Sequence, residues 1–145
     1  MKLKIFLTTL LCITVLNAGD YIIKDSKNSV DKTIQKIQNI VKSKGMQVFE
    51  IIDHNANAKK VGYDMLKAKV IVFGNAKLGT RIMLRDIHAA IALPIRVLVY
   101  RDYNNKVKIE YLNPKVLEKR FDLKGCGVIP KMSKALDMIT TKAGM

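Results

Sequence analysis

An apolar run that stops at a glycine constrains the fold of this chain more than any other feature. Residues 70–73, Val-Ile-Val-Phe, are β-branched or aromatic and too few to fill a helix, so they predict a buried strand. Gly74 ends the run, and the polar residues from there to Thr80 predict a turn. Polar loops at the ends of rigid elements commonly carry binding groups. The sequence therefore predicts a binding site at this turn.

The turn offers groups that bind anions and small molecules. Gly74 and Gly79 lack a Cβ, so their backbone can adopt a positive φ or approach a ligand closely. Asn75, Lys77 and Thr80 supply an amide, a cation and a hydroxyl. The glycine spacing fits neither the P-loop, which ends in Gly-Lys-Ser/Thr, nor the dinucleotide fingerprint. The pattern indicates a site and names no reaction.

The first 18 residues have the layout of a secretory signal peptide. Lys2 and Lys4 precede the uncharged residues 5–16, and Ala18 supplies a small residue for cleavage. The apolar run is shorter than a comfortable bilayer span, although an uncleaved N-terminal membrane anchor is the alternative. We expect cleavage after Ala18, a single domain over residues 19–145, and a periplasmic or secreted protein.

The mature chain is strongly basic. It has 24 Lys and Arg, the chain's 26 without Lys2 and Lys4, against 12 acids, a formal charge of +12. Arg, the side chain suited to bidentate phosphate recognition, contributes only five of these. No basic segment is interleaved with aromatic residues, as single-strand-binding surfaces are. We therefore expect a diffuse field that attracts a small anionic ligand or an anionic membrane surface, and no nucleic acid as partner.

Cys126 is the one cysteine outside the predicted signal peptide, so the mature chain cannot form an internal disulfide. Its two glycine neighbours would allow a reactive, exposed thiol. The commoner role of a lone cysteine is that of a small buried hydrophobe, and this is the role we expect.

Hydrophobic periodicity places one long helix near each end of the domain. Val30, Ile34, Ile37 and Val41 form a single stripe, which Asn28 would cap and Gly45 would end. The remaining expected elements are strands at 20–24, 46–53, 95–100 and 106–112, helical segments at 54–62 and 115–121, a short helix then extended chain over 78–93, and a closing helix at 130–142. In the second strand, Phe49, Ile51 and Ile52 are the expected core residues.

The two histidines allow a catalytic alternative. His54 would act as general base beside Asp53, while the turn after Phe73 held an anionic substrate through Lys77 and Arg81. The sequence offers neither a nucleophile constellation nor a second placed acid. A hydrogen-bonded structural His54 at a strand end is the other interpretation.

A metal or haem site is a further alternative. It would pair His54 or His88 with the other, or with Met83 or Cys126. None of these pairs has the close, repeated spacing typical of zinc or haem ligands. The sequence therefore identifies no cofactor.

A non-catalytic binding module is the interpretation that requires the fewest specific residues. Its pocket would hold a small or lipid-like anionic ligand between the sheet and the helices. Such pockets are mostly apolar with a few fixed polar groups. The residues expected to line it are His54, Phe73, Gly74, Asn75, Lys77, Gly79, Thr80 and Arg96.

Several short motifs follow one another along nearly the whole mature chain. They are Ile52-Asp53-His54, residues 58–62, Val72-Phe73-Gly74-Asn75 with Leu78-Gly79-Thr80 and Met83, Leu93-Pro94 before residues 96–100, and Tyr111 with Asn113-Pro114. In this order they resemble the bacterial family called domain of unknown function 302, although Ala76 stands where that family usually has proline. The resemblance implies an α+β fold: a single β-α-β(4)-α domain in a TATA-binding-protein-like arrangement, with helices packed on a curved antiparallel sheet. It further implies a homodimer and no known activity.

Overall fold

The computed structural model describes residues 19–145, so the predicted signal peptide lies outside it. Its strands are β1 (Tyr21–Ser26), β2 (Gln47–Asp53), β3 (Ala68–Gly74), β4 (Ile95–Arg101) and β5 (Val107–Leu112). They form one antiparallel sheet in the order β1-β5-β4-β3-β2. The strand predicted at residues 70–73 is β3, which extends further at both ends.

Two long helices and several short ones connect and cover the strands. They are α1 (Val30–Ser43), α2 (His54–Lys60), α3 (Ala76–Met83), a 3₁₀ helix (Ile87–Ala92), α4 (Lys115–Arg120) and α5 (Val128–Gly144). The predicted α+β class and the β-α-β(4)-α order are confirmed, with the short helices inserted in the connections.

The first long helix forms where the apolar stripe predicts it. Its stripe is buried, and Gly45 follows its end with a φ of 68°, as expected for the residue after a helix terminus. The cap is Ser29 rather than Asn28: the Ser29 side chain accepts a hydrogen bond from the backbone N–H of Lys32. Asn28 instead donates from Nδ2 to the carbonyl oxygen of Ala143, which ties the start of α1 to the end of α5.

The main core lies between α1, α5 and one face of the sheet. Cross-strand neighbours Ile71, Val97 and Tyr111 form one buried row of that face. Phe73 continues the same face towards the end of β3 and is fully buried. A second buried cluster forms where the start of α5 meets α3, the 3₁₀ helix and α4, and Cys126 is buried there as predicted.

Three local expectations were wrong. Phe49 is half exposed rather than in the core, because a register shift between Val48 and Glu50 displaces it from the pleat of β2. Most of the predicted polar turn is helix α3, since Asn75 caps it. The chain before Pro94 is a 3₁₀ helix rather than extended, because the Asp86 side chain accepts from the N–H of His88.

Candidate functional site

An apolar cavity of about 300 Å³ lies at the end of β3, between the sheet, α3 and α5. Phe73 and Ile95, which are paired across β3 and β4, form its sheet side. Leu136 and Ile139 of α5 close it from the opposite side. All four side chains are hydrocarbon, so the interior favours an apolar occupant.

The wall formed by α3 starts at a capped helix end. The Oδ1 of Asn75 accepts a hydrogen bond of 3.1 Å from the N–H of Leu78, which fixes the first turn. Ala76, Gly79, Thr80 and Met83 recur at the helical spacing and line the cavity. Gly79 leaves open space there: a Cβ built on it would meet nothing within 4 Å.

The far wall comes from two other segments. Met46 directly precedes β2 and Phe49 lies within it, and Pro94 follows a cis peptide bond with Leu93. Gly74 lies between these two segments: an added Cβ there would lie 3.5 Å from Cε2 of Phe49 and 3.6 Å from Cβ of Pro94. Those are ordinary contact distances, so the lack of a side chain at Gly74 keeps this side open.

Very few polar groups line the cavity. The side chains of Asn75 and Thr80 supply an amide and a hydroxyl, and Lys131 of α5 supplies the one charged group among the lining residues. Lys131 was missed from the sequence. Its position beside Val128, Met132 and Ala135 on the closing helix was the one available signal, but nothing in that segment alone shows that it lies at the same cavity as α3.

The structure brings together five of the eight predicted site residues at this cavity: Phe73, Gly74, Asn75, Gly79 and Thr80. The glycines do not use a positive φ there. The glycines with positive φ in the described part of the chain are Gly45, Gly62 and Gly125. Of the two roles expected for Gly74 and Gly79, only the close approach of a ligand to the backbone is compatible with their conformation.

Lys77 does not line the cavity, although it lies within the predicted segment. It is exposed on α3. On a helix, residues three and four apart share a face, so the stripe of Ala76, Gly79 and Thr80 turns Lys77 away. Had the segment been an irregular turn, as predicted, Lys77 could have pointed inward.

His54 lies at the other end of the sheet. β2 begins at Gln47, opposite Gly74, and ends at Asp53, opposite Lys69. Phe49, the residue of β2 that lines the cavity, lies five residues before His54, a distance of about 16 Å along the strand. His54 is exposed at the start of α2. Its neighbour Asp53 accepts from the N–H of Ala56 and pairs with Lys69 at 3.0 Å. The catalytic arrangement of His54 beside an anion-binding turn is therefore not assembled in this chain.

Arg96 faces away from the cavity. It pairs with Val72 on the face of the sheet opposite α1 and α5, since the neighbouring Val97 points into the core. There it lines a shallow groove with Tyr21, Leu98 and other residues of the outer face. A one-residue step along a strand reverses the face, so predicting β4 alone could not place Arg96.

The most strongly shifted acid also lies away from the cavity. Hydrogen bonds from Lys67 and then Lys69 lower the pKa of Asp31 to about 2. The Asp53 pKa is lowered by the Ala56 N–H and then by Lys69. These groups gather near the start of α1, at the end of β3 remote from Gly74. Their ion pairs connect α1 to the sheet and leave the cavity free of fixed negative charge.

Residues 19–145 contain neither a group of potential metal ligands nor a helix that could span a membrane. Within that range, no three His, Cys, Asp or Glu side chains gather where they could hold a metal ion. No helix there is both long and apolar enough to cross a bilayer.

Comparison with known proteins identifies relatives of this chain. The model of the family described as "Domain of unknown function DUF302" matches residues 22–139. A crystal structure of an uncharacterized conserved DUF302 protein from Bacillus stearothermophilus superposes with a TM-score of 0.76 at 17% identity, covering 88% of this chain and all of that one. At that identity the likeness shows the fold alone.

The curated relatives are longer proteins, and only part of each is similar to this chain. "Fluoride-specific ion channel FluC 1" of Brucella suis is 36% identical over 99 residues, which are 68% of this chain and 39% of the relative. The protein of the same name from Brucella abortus matches at the same identity over 37% of its length. The chain thus spans about two fifths of the length of these curated relatives.

Proposed function

This chain belongs to the DUF302 family, and from its site we propose that it is a non-catalytic binding module for a small or lipid-like anionic ligand. The single observation that carries the proposal is the cavity of about 300 Å³ at the end of β3, apolar except at its few polar lining groups. The family description supplies no activity, so the argument rests on the chemistry of this site.

The cavity has the character of a small-molecule pocket. Its volume lies at the lower end of the range of about 300–1,000 Å³ typical of such sites. Burying hydrocarbon stabilises a complex by about 25 cal/mol per Å² of apolar surface. Asn75 and Thr80 provide the few polar groups that orient a ligand. An apolar body with a polar end is the ligand this lining fits.

Charge favours an anion at the polar end. The mature chain has a formal charge of +12, and Lys131 is the charged residue on the cavity lining. A field of this sign concentrates anions near the surface. The same field would attract the protein to an anionic membrane surface, where lipid-like ligands occur.

Binding is favoured over catalysis by the separation of the candidate groups. His54, the proposed general base, lies about 16 Å along β2 from Phe49, the residue of that strand that lines the cavity. A general base acts only within hydrogen-bond reach of its proton, directly or through one water. Cleavage after Ala18, export and homodimer formation stay predictions that complement this proposal.

The test uses a variant that fills the cavity. Gly79→Leu places a branched side chain into the open space next to the α3 backbone, whereas Gly79→Ala leaves most of that space free. Thermal-shift screening of a metabolite and lipid-head-group library should find anionic compounds that stabilise wild type and Gly79→Ala, because a ligand of the native state raises the melting temperature. Gly79→Leu should lose these shifts. If the same compounds stabilised Gly79→Leu equally, the cavity would not be the binding site.

A further inference from the structure

We propose that Lys131 binds the head of the ligand and that the ligand is a single-chain amphiphile: a carboxylate or phosphate monoester with a tail of about ten carbons in the cavity. This inference rests on the proposed binding function and adds to it the head-binding residue, the number of chains and the tail length.

The position of Lys131 on α5 points to this role. Val128, Met132, Ala135 and Ile139 repeat at helical spacing and line the cavity. Lys131 also lines it and falls at the edge of this stripe, where the apolar wall meets solvent. A lysine at such an edge packs its methylene stem along hydrocarbon and keeps its ammonium at the water boundary.

No acid of the domain neutralises this lysine. The ion pairs formed among residues 19–145 involve Lys24, Lys67, Lys69, Lys108 and Arg120, and none involves Lys131. The other polar lining groups also favour an acceptor-rich head. Asn75 uses its side-chain oxygen to cap α3, so its amide N–H groups remain as donors, and Thr80 contributes a hydroxyl. An anion with several oxygens can pair with the ammonium of Lys131 and accept hydrogen bonds from these donors.

The cavity volume limits the tail. An apolar cavity of about 150 Å³ is known to bind benzene, which has six carbons, so by proportion a cavity of about 300 Å³ holds roughly ten to twelve carbons. The lining offers one cation and therefore one place for a charged head. A second chain or a second charged head would be left without a matching surface.

Isothermal titration calorimetry with three ten-carbon probes tests the head group. The probes are decanoate, decyl phosphate and decanol, below their aggregation concentrations, and the proteins are wild type, Lys131→Met and Lys77→Met. Met keeps an unbranched stem and removes the charge. Lys77 is the matched control, because it is an exposed lysine of α3 outside the cavity.

We expect wild type to bind at least one of the two anions about tenfold or more tightly than decanol. Lys131→Met should lose this preference and bind decanol as wild type does, while Lys77→Met should keep it. Decanoate binding more tightly than decyl phosphate would identify a free fatty acid as the source of the head, and the reverse order a phosphate monoester. Affinity for fatty acids should rise from hexanoate to decanoate and rise no further at hexadecanoate.

The outcomes separate this inference from the binding function. If wild type prefers the anions and Lys131→Met keeps that preference, or both lysine variants lose it equally, the diffuse field selects the anion and the assignment of Lys131 is overturned. If affinity continues to rise to hexadecanoate, the tail limit is overturned. If none of the probes binds wild type, or Gly79→Leu binds them unchanged, the proposed cavity function itself fails.

Discussion

Lys69 of β3 and Asp31 of α1 form an ion pair in which Nζ lies 2.8 Å from Oδ1 of the aspartate. Lys67 approaches the second oxygen of the same carboxylate at 2.6 Å. Asp31 lies in the first turn of α1, where a negative charge also interacts favourably with the helix dipole. The pair therefore joins the start of the first helix to the sheet, away from the cavity.

This carboxylate should make stability depend on acid pH. Its lowered pKa of about 2 in the folded protein, against about 3.9 in an unfolded chain, means that folding favours the ionised form. The contribution is fully present above about pH 4 and is lost as the pH falls towards 2. Because the side chain is half exposed, we expect no more than about 1 kcal/mol.

Chemical unfolding of wild type and Asp31→Asn measures this contribution. The variant should be less stable by up to about 1 kcal/mol at pH 7, and the difference should shrink as the pH falls from 4 to 2. A difference that stayed constant across that range would show that the ion pairs of Asp31 do not couple to folding.

Two helical glycines should respond to alanine with opposite signs. At Gly79 an added Cβ meets open space, so Gly79→Ala should raise the free energy of unfolding by about 0.5–1 kcal/mol through lower backbone entropy in the unfolded chain. At Gly144 the added Cβ would come within 2.8 Å of the carbonyl oxygen of Asp25. Gly144→Ala should therefore lower stability by about 1–3 kcal/mol through overpacking.

Denaturant unfolding of both glycine variants under one buffer condition gives the comparison. Equal effects of the same sign would contradict the close approach of α5 to β1 that the Gly144 contact represents. That approach is also marked by a hydrogen bond of 2.8 Å from the N–H of Lys27 to the carbonyl oxygen of Gly144.

Phe73 and Lys77 should differ sharply in their effect on stability. Phe73 is fully buried between the sheet and α5, so Phe73→Ala should cost about 3–5 kcal/mol. Lys77 is exposed on α3, so Lys77→Ala should change stability by less than about 0.5 kcal/mol. Melting temperatures of the two variants measured side by side check this, and equal shifts would mean that β3 and α3 are placed incorrectly.

The sequence predicted those features that depend on local pattern. The run at 70–73 determined a strand, the stripe from Val30 to Val41 determined a helix, and Gly45 marked its end, because each signal lies within one element. Five of the predicted site residues line the cavity for the same reason, since they lie in one short segment of the chain: Phe73, Gly74, Asn75, Gly79 and Thr80.

The rest of the site could not be predicted because it depends on how segments distant in the sequence pack together. Lys131 lines the same cavity as α3 only because α5, some 50 residues later in the sequence, packs next to α3. His54 was expected near the turn because the sequence does not show how β2 runs relative to β3. The two strands are antiparallel, so the end of β2 that carries His54 lies far from the end of β3 that carries Gly74. Asn75 was taken for a turn residue, although Asx residues favour both turns and helix caps and only the structure distinguishes the two.

Methionine-methyl NMR observes ligand entry into the cavity most directly. Met46, Met83 and Met132 line the cavity, whereas Met65 and Met145 are exposed elsewhere and serve as internal controls. On titration of ¹³C-methyl-methionine-labelled protein with decanoate, we expect saturable shifts of the three cavity methyls, no shift of the two controls, and loss of the response in Gly79→Leu. Shifts confined to Met65 and Met145, or equal at all five methyls, would contradict binding in the cavity.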